Sequence, residues 1–272
     1  MNYRHAFHAG NFGDVFKHAL LVPLIEHLNR KPAPFFVLDT HAGPGRTDLT
    51  ASEPNRTGEA RSGILRLLEQ PPTPLEPYVT LVNHLGLYPG SPAIIRSLLR
   101  PQDRLVCCEL HPDDHAHLRR LFADDPQTGI HRRDGYEALT ALLPPNERRG
   151  LVLIDPPFER LDEFSVLSAG LITANRRFRQ GILAAWYPIK HLAPARDFHG
   201  AIEASPVRDV ITAELCLREP VDPTRLNGAG LLIVNAPYRF EDTAKPILAA
   251  LLDRLGAGEV GAYARLTRLC DE

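Results

Sequence analysis

Several things are scarce in this sequence, and each shortage excludes a class of protein. No apolar run in its 272 residues approaches the ~18 needed to cross a bilayer. The opening Met1-Asn2-Tyr3-Arg4-His5 lacks the apolar core of a signal peptide. A cytoplasmic protein with no membrane association is therefore expected. Cysteine is limited to Cys107, Cys108, Cys216 and Cys270, with no C-x-x-C pair. Spacing thus indicates neither a zinc knuckle nor a disulfide framework, and reduced thiols are expected. No charge of one sign dominates, since the formal net charge is −2 at pH 7. A polyanionic partner would have to be held by a local patch, because the whole molecule supplies no attractive field. Lysine is rare, four residues among 31 basic ones. Arginine forks suit phosphates and stack on bases, but such a bias also follows genomic composition and carries little weight.

What is present is ordinary for a folded chain. Apolar types make up 44% and charged types 24%, which excludes a disordered polymer, a coiled coil and a collagen-like repeat. The length fits one large α/β domain or one domain carrying an insertion. From Asp14 to Leu28, apolar residues recur at helical spacing behind Gly10, Asn11 and Gly13, with a bend expected at Pro23. Phe35 to Leu38 is a short apolar run that ends in Asp39-Thr40-His41-Ala42-Gly43-Pro44-Gly45. This reads as a buried strand opening into a glycine loop, the usual ligand position in an open α/β sheet. No buried strand is expected from there to about Gly90. Ile64 to Leu68 and Tyr78 to Leu85 predict short helices among prolines, so 46–90 reads as an inserted helical subdomain.

Helix and strand patterns then alternate. Strands are predicted at Leu105 to Glu109, near Ile130, at Leu151 to Ile154, and near Ile182 to Trp186, Val210 to Leu217 and Leu231 to Val234. Helices are predicted at Pro92 to Leu99, Asp113 to Phe122, Tyr136 to Leu142 and Thr243 to Leu255. The fold class is α/β, a mainly parallel sheet with helices on both faces.

Four candidate features fall where such a sheet presents the carboxyl ends of its strands. The glycine loop 39–45 is one, but it fails as a dinucleotide fingerprint, because Asp48 stands where the third glycine belongs. Glu109, at the tip of the next strand, can accept both hydroxyls of a ribose, although a strand-end acid can equally cap the following helix. Asp134-Gly135 follows the strand at Ile130. That Asp can accept from an adenine amino group while the glycine spares room for the ring, though a plain turn is the commoner meaning. The most specific string is Gly150-Leu151-Val152-Leu153-Ile154-Asp155-Pro156-Pro157-Phe158. Its prolines remove backbone donors and leave carbonyls free. The Asp155 carboxylate and Pro156 carbonyl can then hold an exocyclic amine and aim its lone pair outward, with Phe158 stacked on the base. A second string, Asn235-Ala236-Pro237-Tyr238, has only one proline and reads instead as the end of a late hairpin strand. His5 and His8 are too close for a helical zinc pair, so no metal is expected.

These residues together resemble a known family. Tyr3-Arg4-His5-Ala6-Phe7-His8-Ala9-Gly10-Asn11 with Asp14-Val15 and Lys17-His18, Leu38 to Gly43 with Gly45-Arg46, Tyr88-Pro89-Gly90-Ser91-Pro92, Glu109-Leu110-His111-Pro112 and Asp155 to Phe158 are similar to the RlmJ family. Its members are ribosomal RNA large-subunit methyltransferases, and the likeness runs almost end to end. The resemblance implies a Rossmann-like class I fold over 1–45 and 91–272, and S-adenosylmethionine-dependent methylation of adenine N6 in 23S ribosomal RNA. It assigns His18, His41, Ser91, Glu109, Asp134, Gly135 and Asp155 to the cofactor, with Asp155 also the proton acceptor. Tyr3, His5, Lys17, Pro156 and Phe158 fall to the substrate side. Many amino-methyltransferases have Tyr after the two prolines; Phe158 keeps the stacking and loses the phenol hydrogen bond. A monomer acting in ribosomal RNA processing is expected. The rival readings are adenine methylation of DNA and a non-catalytic nucleic-acid-binding protein on the same fold.

Overall fold

The computed structural model describes residues 8–51, 58–256 and 258–271. Helix α1 (Phe12–Asn29) leads into strand β1 (Phe36–Asp39). Two short strands, β2 (Arg46–Thr47) and β3 (Tyr88–Pro89), pair antiparallel and close the neck of a helical segment. That segment holds α2 (Glu59–Ser62), α3 (Ile64–Glu69), a 3-10 turn (Thr73–Leu75) and α4 (Glu76–Leu85). Next come α5 (Ser91–Leu98), β4 (Arg104–Cys108), α6 (Pro112–Leu121), β5 (Thr128–His131), α7 (Gly135–Ala141) and β6 (Gly150–Ile154). The chain ends with α8 (Glu163–Arg177), β7 (Ile182–Ile189), α9 (Leu192–Glu203), β8 (Val210–Cys216), β9 (Gly228–Val234), α10 (Phe240–Leu255) and β10 (Tyr263–Cys270).

The main sheet has eight strands in the order β10-β8-β9-β7-β6-β1-β4-β5. From β5 through β4, β1 and β6 to β7 the pairing is parallel; β9, β8 and β10 add antiparallel neighbours. The chain leaves β1 toward β4 and returns on its other side as β6. That reversal makes a crevice at the carboxyl ends of β1, β4 and β6, where ligands bind in open α/β sheets.

Side chains alternate across each strand, so the sheet divides the core in two. Val37, Leu105, Cys107, Leu151 and Leu153 face a layer containing α1, α5 and α10. Phe36, Leu38, Val106, Val152 and Ile154 face α7, α8 and α9. Ile64, Leu67, Leu75, Tyr78 and Val82 of the segment between β2 and β3 join the first layer, so that segment extends the same core. Helix α1 is buried on nearly every side and packs against α10, α5 and α4. A helix apolar all round belongs inside a protein. Its start is set by Asn11, whose side chain accepts from the Asp14 N–H at 2.9 Å, and it continues as one helix through Pro23.

Strand β10 was not anticipated from the sequence. It lies at the sheet edge beside β8, and its Arg265 and Arg268 reach Glu214, Asp209 and Glu241. Charge on an edge strand discourages pairing with another chain, and it also hides the strand from a search for apolar runs.

Gly150 opens β6 directly against the backbone of Phe36 on β1. A Cβ there would stand 2.2 Å from the Phe36 carbonyl oxygen, a backbone atom that no side-chain rotation can move. Gly150→Ala is therefore expected to lower stability by about 1–3 kcal/mol. Urea denaturation checks this; an unchanged midpoint would mean that the two strands separate freely.

Candidate active site

The carboxyl ends of β1, β4, β5 and β6 open into one cavity of about 880 Å³, within the range of small-molecule sites. Lys17, His41, Glu109, Asp134, Gly135, Asp155, Pro156 and Phe158 all line it. The register explains the convergence. Asp39 pairs with Leu153 and Cys107, and the Thr40 N–H donates to the Leu153 carbonyl at 3.0 Å. The glycine loop therefore leaves the sheet beside the strand end that carries Asp155.

Lys17 is the buried cation of the site. Its ammonium donates to Asp155 Oδ2 at 2.5 Å and to Asp14 Oδ1 at 3.1 Å. Burial alone would lower its pKa, but Asp155 and Asp14 outweigh burial and raise it above the ordinary lysine value. Asp14 Oδ2 also accepts the Gly10 N–H at 3.1 Å, which fastens the chain before α1 to the same point.

Asp39, fully buried at the end of β1, accepts from the Ser91 hydroxyl at 2.6 Å. Burial pushes its carboxyl up to about 7, the Asp155 charge adds to the rise, and Ser91 and Lys17 oppose it. Desolvation lowers the His41 imidazole to about 4 against the pull of Asp155 and Asp134, so the ring is neutral at pH 7. His41 Nδ1 lies 2.7 Å from the Thr40 hydroxyl, and its ring meets Tyr136 edge-on at 5.3 Å.

Glu109 is buried. Its carboxylate accepts the Gly43 N–H at 2.8 Å and the His111 N–H at 2.7 Å, so it shapes the glycine loop directly. Asp134 caps α7, one oxygen accepting from the N–H groups of Tyr136 and Glu137. A carboxylate has about four acceptor positions, so both acids keep capacity for a ligand. The glycine at 135 answers to a close approach of two loops: a Cβ there would stand 2.4 Å from the Thr40 carbonyl oxygen and 2.5 Å from the His41 ring. Sequence reasoning had ascribed it to room for a ligand ring.

Phe158 adopts a left-handed backbone with φ +50°, rare for a bulky residue and typical of strained functional turns. Its ring meets Phe164 edge-on at 4.9 Å and Trp186 at 6.0 Å, which anchors the turn after the two prolines.

His18 and Ser91 do not line the cavity. His18 is buried between Tyr78 and Tyr88, with Nδ1 3.3 Å from the Tyr88 hydroxyl, and Ser91 acts on Asp39. Tyr3 and His5 lie outside the described residues. Asn235 stands at the opposite end of the sheet, since Val234 pairs with Leu183 at the start of β7, and its amide donates to the carbonyls of Arg179 and Gly181. Sequence reasoning named Asp14 and Asp39 only within the N-terminal motif and the glycine loop, with no role of their own, and did not single out Tyr136 or Glu163. Asp39 could have been found from its place at the strand end, and Tyr136 from its place after Asp134-Gly135. Glu163, which accepts from the Tyr136 hydroxyl at 2.8 Å, gave no signal.

S-adenosylmethionine presents a ribose diol, an adenine amino group, an ammonium and a sulfonium. The donor set suits it: carboxylates at successive strand ends for the diol and the amine, and further acids nearby for positive charge. Among the described residues, no group of three or more His, Cys, Asp or Glu side chains is arranged to hold a metal ion. No described helix is long and apolar enough to cross a membrane. The sheet order, the strand-end acids and Asp-Pro-Pro-Phe together define a class I S-adenosylmethionine-dependent methyltransferase.

The family model described as ribosomal RNA large subunit methyltransferase D, RlmJ, matches residues 32–266. Ribosomal RNA large subunit methyltransferase J of Escherichia coli is 39% identical over 263 residues, 94% of each chain. Its namesake from Haemophilus influenzae is 37% identical over 272 residues, 97% of each chain. A crystal structure of a Legionella pneumophila protein, 32% identical, superposes with a TM-score of 0.88 over 96% of this chain and 98% of that one. The chain belongs to the RlmJ family of ribosomal RNA large subunit methyltransferases, as its motifs had suggested.

The buried acid at the base of the glycine loop has a measurable consequence. Unfolded, Asp39 titrates near 3.8; folded, near 7. Between these values the folded state binds the extra proton, so this group's contribution to stability falls as pH rises. Asp39→Asn keeps an acceptor for Ser91 and removes the titration. Relative to the parent chain, the variant is expected to gain stability from about pH 4 to about pH 7 and no more above that. Urea midpoints across this range check it, and a constant difference would show that Asp39 does not titrate there.

Proposed function

We propose that this protein transfers a methyl group from S-adenosylmethionine to the N6 amino group of an adenine in 23S ribosomal RNA. The observation that carries this reading is Asp155-Pro156-Pro157-Phe158 at the end of β6, opening on the cavity that also holds Glu109 and Asp134. Family membership favours RNA over DNA, and the intact acids favour an enzyme over a non-catalytic binding protein. A ribosomal RNA substrate puts the work in the cytoplasm. We read the enzyme as a monomer, with 1–45 and 91–272 forming the Rossmann-like domain and 46–90 the helical insertion.

The cofactor supplies a methyl group on a cationic sulfur, an activated leaving group, so alignment is the main demand on the protein. Glu109 and Asp134 hold the ribose and adenine ends, with His41 and Gly135 on the same wall. His18 and Ser91 support that wall from behind, through Tyr88 and Asp39. On the substrate side, the Asp155 carboxylate and the Pro156 carbonyl accept from the target amino group, and Phe158 offers its ring to the base. Lys17 fixes the direction of the Asp155 carboxylate. The neutral amine attacks, and Asp155 takes its proton during or after transfer. Tyr3 and His5 contact the RNA.

The direct test is to incubate ribosomal RNA with the enzyme and S-adenosylmethionine, digest it and identify the methylated nucleoside. N6-methyladenosine is expected; a methyl group on another nucleoside, or on DNA alone, would overturn the reading.

Asp155→Asn retains an acceptor for Lys17 and loses the proton acceptor. Turnover should fall by about 100-fold or more with the circular dichroism spectrum unchanged; near-normal turnover would remove Asp155 from this role. Tyr3→Ala should weaken methyl transfer to RNA by about tenfold or more, with S-adenosylmethionine affinity unchanged in calorimetric titration. A parallel loss of cofactor affinity would move Tyr3 to the cofactor side.

A further inference from the structure

We infer that Leu161 is a wedge that enters a stacked or paired RNA and fills the gap left when the target adenine swings out. This rests on the proposed function and adds to it a positioning residue for an adenine that lies in structured RNA.

Leu161 is the most exposed of the large apolar side chains among the described residues, projecting wholly into solvent. Its neighbours Phe158, Glu159, Arg160 and Glu163 line the cavity and Leu161 does not, so it stands just outside the pocket that takes the base. Surface leucines are common, and exposure alone means little. The difference here is that its neighbours on both sides are bonded to one another and to the cavity wall. The Arg160 guanidinium spans it with two 3.0 Å bonds, Nε and Nη2 to the two carboxylate oxygens of Asp162. The Arg160 N–H donates to Glu163 Oε2 at 3.4 Å, and the Glu163 N–H returns to the Arg160 carbonyl at 3.4 Å. Glu163 is itself buried and held by the Tyr136 hydroxyl. Upstream, Pro156, Pro157 and the aromatic contacts of Phe158 fix the other end of the turn.

The result is a short, braced tip that holds an apolar side chain in water, where folding gains nothing from it. An exocyclic amine inside a helix cannot reach a carboxylate set within a cavity until the base leaves its stack. Proteins that open base steps commonly do so by inserting an apolar side chain, leucine among them, into the step. Leu161, beside the pocket and carried on the same turn as Asp155, is placed to do this as the base enters. It acts as a positioning residue and touches none of the reacting atoms.

The test uses an unmodified 23S RNA fragment carrying the target adenine, in its folded form and with the complementary strand deleted. Leu161→Ser is expected to lower kcat/KM on the folded fragment by about tenfold or more and to change it by less than about twofold on the single strand. Leu161→Met should restore most of the loss. In the presence of S-adenosylhomocysteine, 2-aminopurine at the target position should brighten with the parent enzyme and with Leu161→Met, and far less with Leu161→Ser. Equal loss on both fragments, no loss on either, or an unchanged 2-aminopurine signal would overturn the wedge. If the parent enzyme methylates neither fragment, the proposed function falls with it; if it methylates both and Leu161→Ser matches it, only the wedge falls.

Discussion

Lys17 carries its charge where water does not reach, within 2.5 Å of a carboxylate 138 residues away in the chain. A buried ammonium is tolerated only when it is paired and hydrogen-bonded, and losing one partner of such a pair costs several kcal/mol. The N-terminal part of helix α1 is therefore held against the end of β6, where Lys17 meets Asp155. The same requirement organises the approach to the helix. Asp14, the second partner, takes the Gly10 N–H, and Asn11, which caps α1, also donates to Glu59 of the helical segment, where His8 meets the same carboxylate. One buried charge thus links the end of β6, the start of α1 and the segment between β2 and β3.

The groups offered to a ligand are also the groups that shape its site. Glu109 holds the glycine loop by its Gly43 N–H, and Asp134 holds the first turn of α7. A side chain locked by such bonds loses little freedom when a ligand arrives, which is the basis of preorganisation. This dual use also explains why capping and binding looked like competing readings of these acids in the sequence. In the folded chain they are compatible, because a carboxylate that accepts one or two backbone N–H groups can still accept more.

Much of this was legible in the sequence because parallel strands, buried on both faces, are written as continuous apolar runs. Phe36–Asp39, Arg104–Cys108 and Gly150–Ile154 announce themselves this way, and the site residues follow their last positions. Strand β10 did not, because Arg265, Thr267 and Arg268 interrupt any apolar pattern. The Lys17–Asp155 pair was equally invisible: spacing reports neighbours along one helix or strand and says nothing of two positions joined by the sheet order. Family resemblance put both residues in the same pocket, and the pairing itself came from the structure. The likeness between Asn235-Ala236-Pro237-Tyr238 and the Asp155 string also dissolves with direction. Strand β9 runs antiparallel to β7, so Asn235 ends up at the amino ends of the parallel strands.

A net charge of −2 poses a problem for an enzyme proposed to act on RNA, and the distribution of charge answers it. The buried groups in and beneath the cavity are mostly acidic: Asp14, Glu109, Asp114 and Glu163, with Asp39 half-protonated near pH 7 and Lys17 the buried cation among them. The exposed charged lining residues are Arg66, Arg160, Lys190 and Arg225 with Glu159 and Glu259, a basic excess. An acidic interior favours a cationic sulfonium, and its field is strong because little water screens it. A basic rim favours phosphates, and that attraction is local and falls with salt, since each phosphate contact displaces counterions. An acidic floor under a mouth with more basic than acidic side chains lets one cavity attract a cation at depth and a polyanion at its opening. The net charge of the whole chain, summed over 31 basic and 33 acidic residues, does not report this local arrangement.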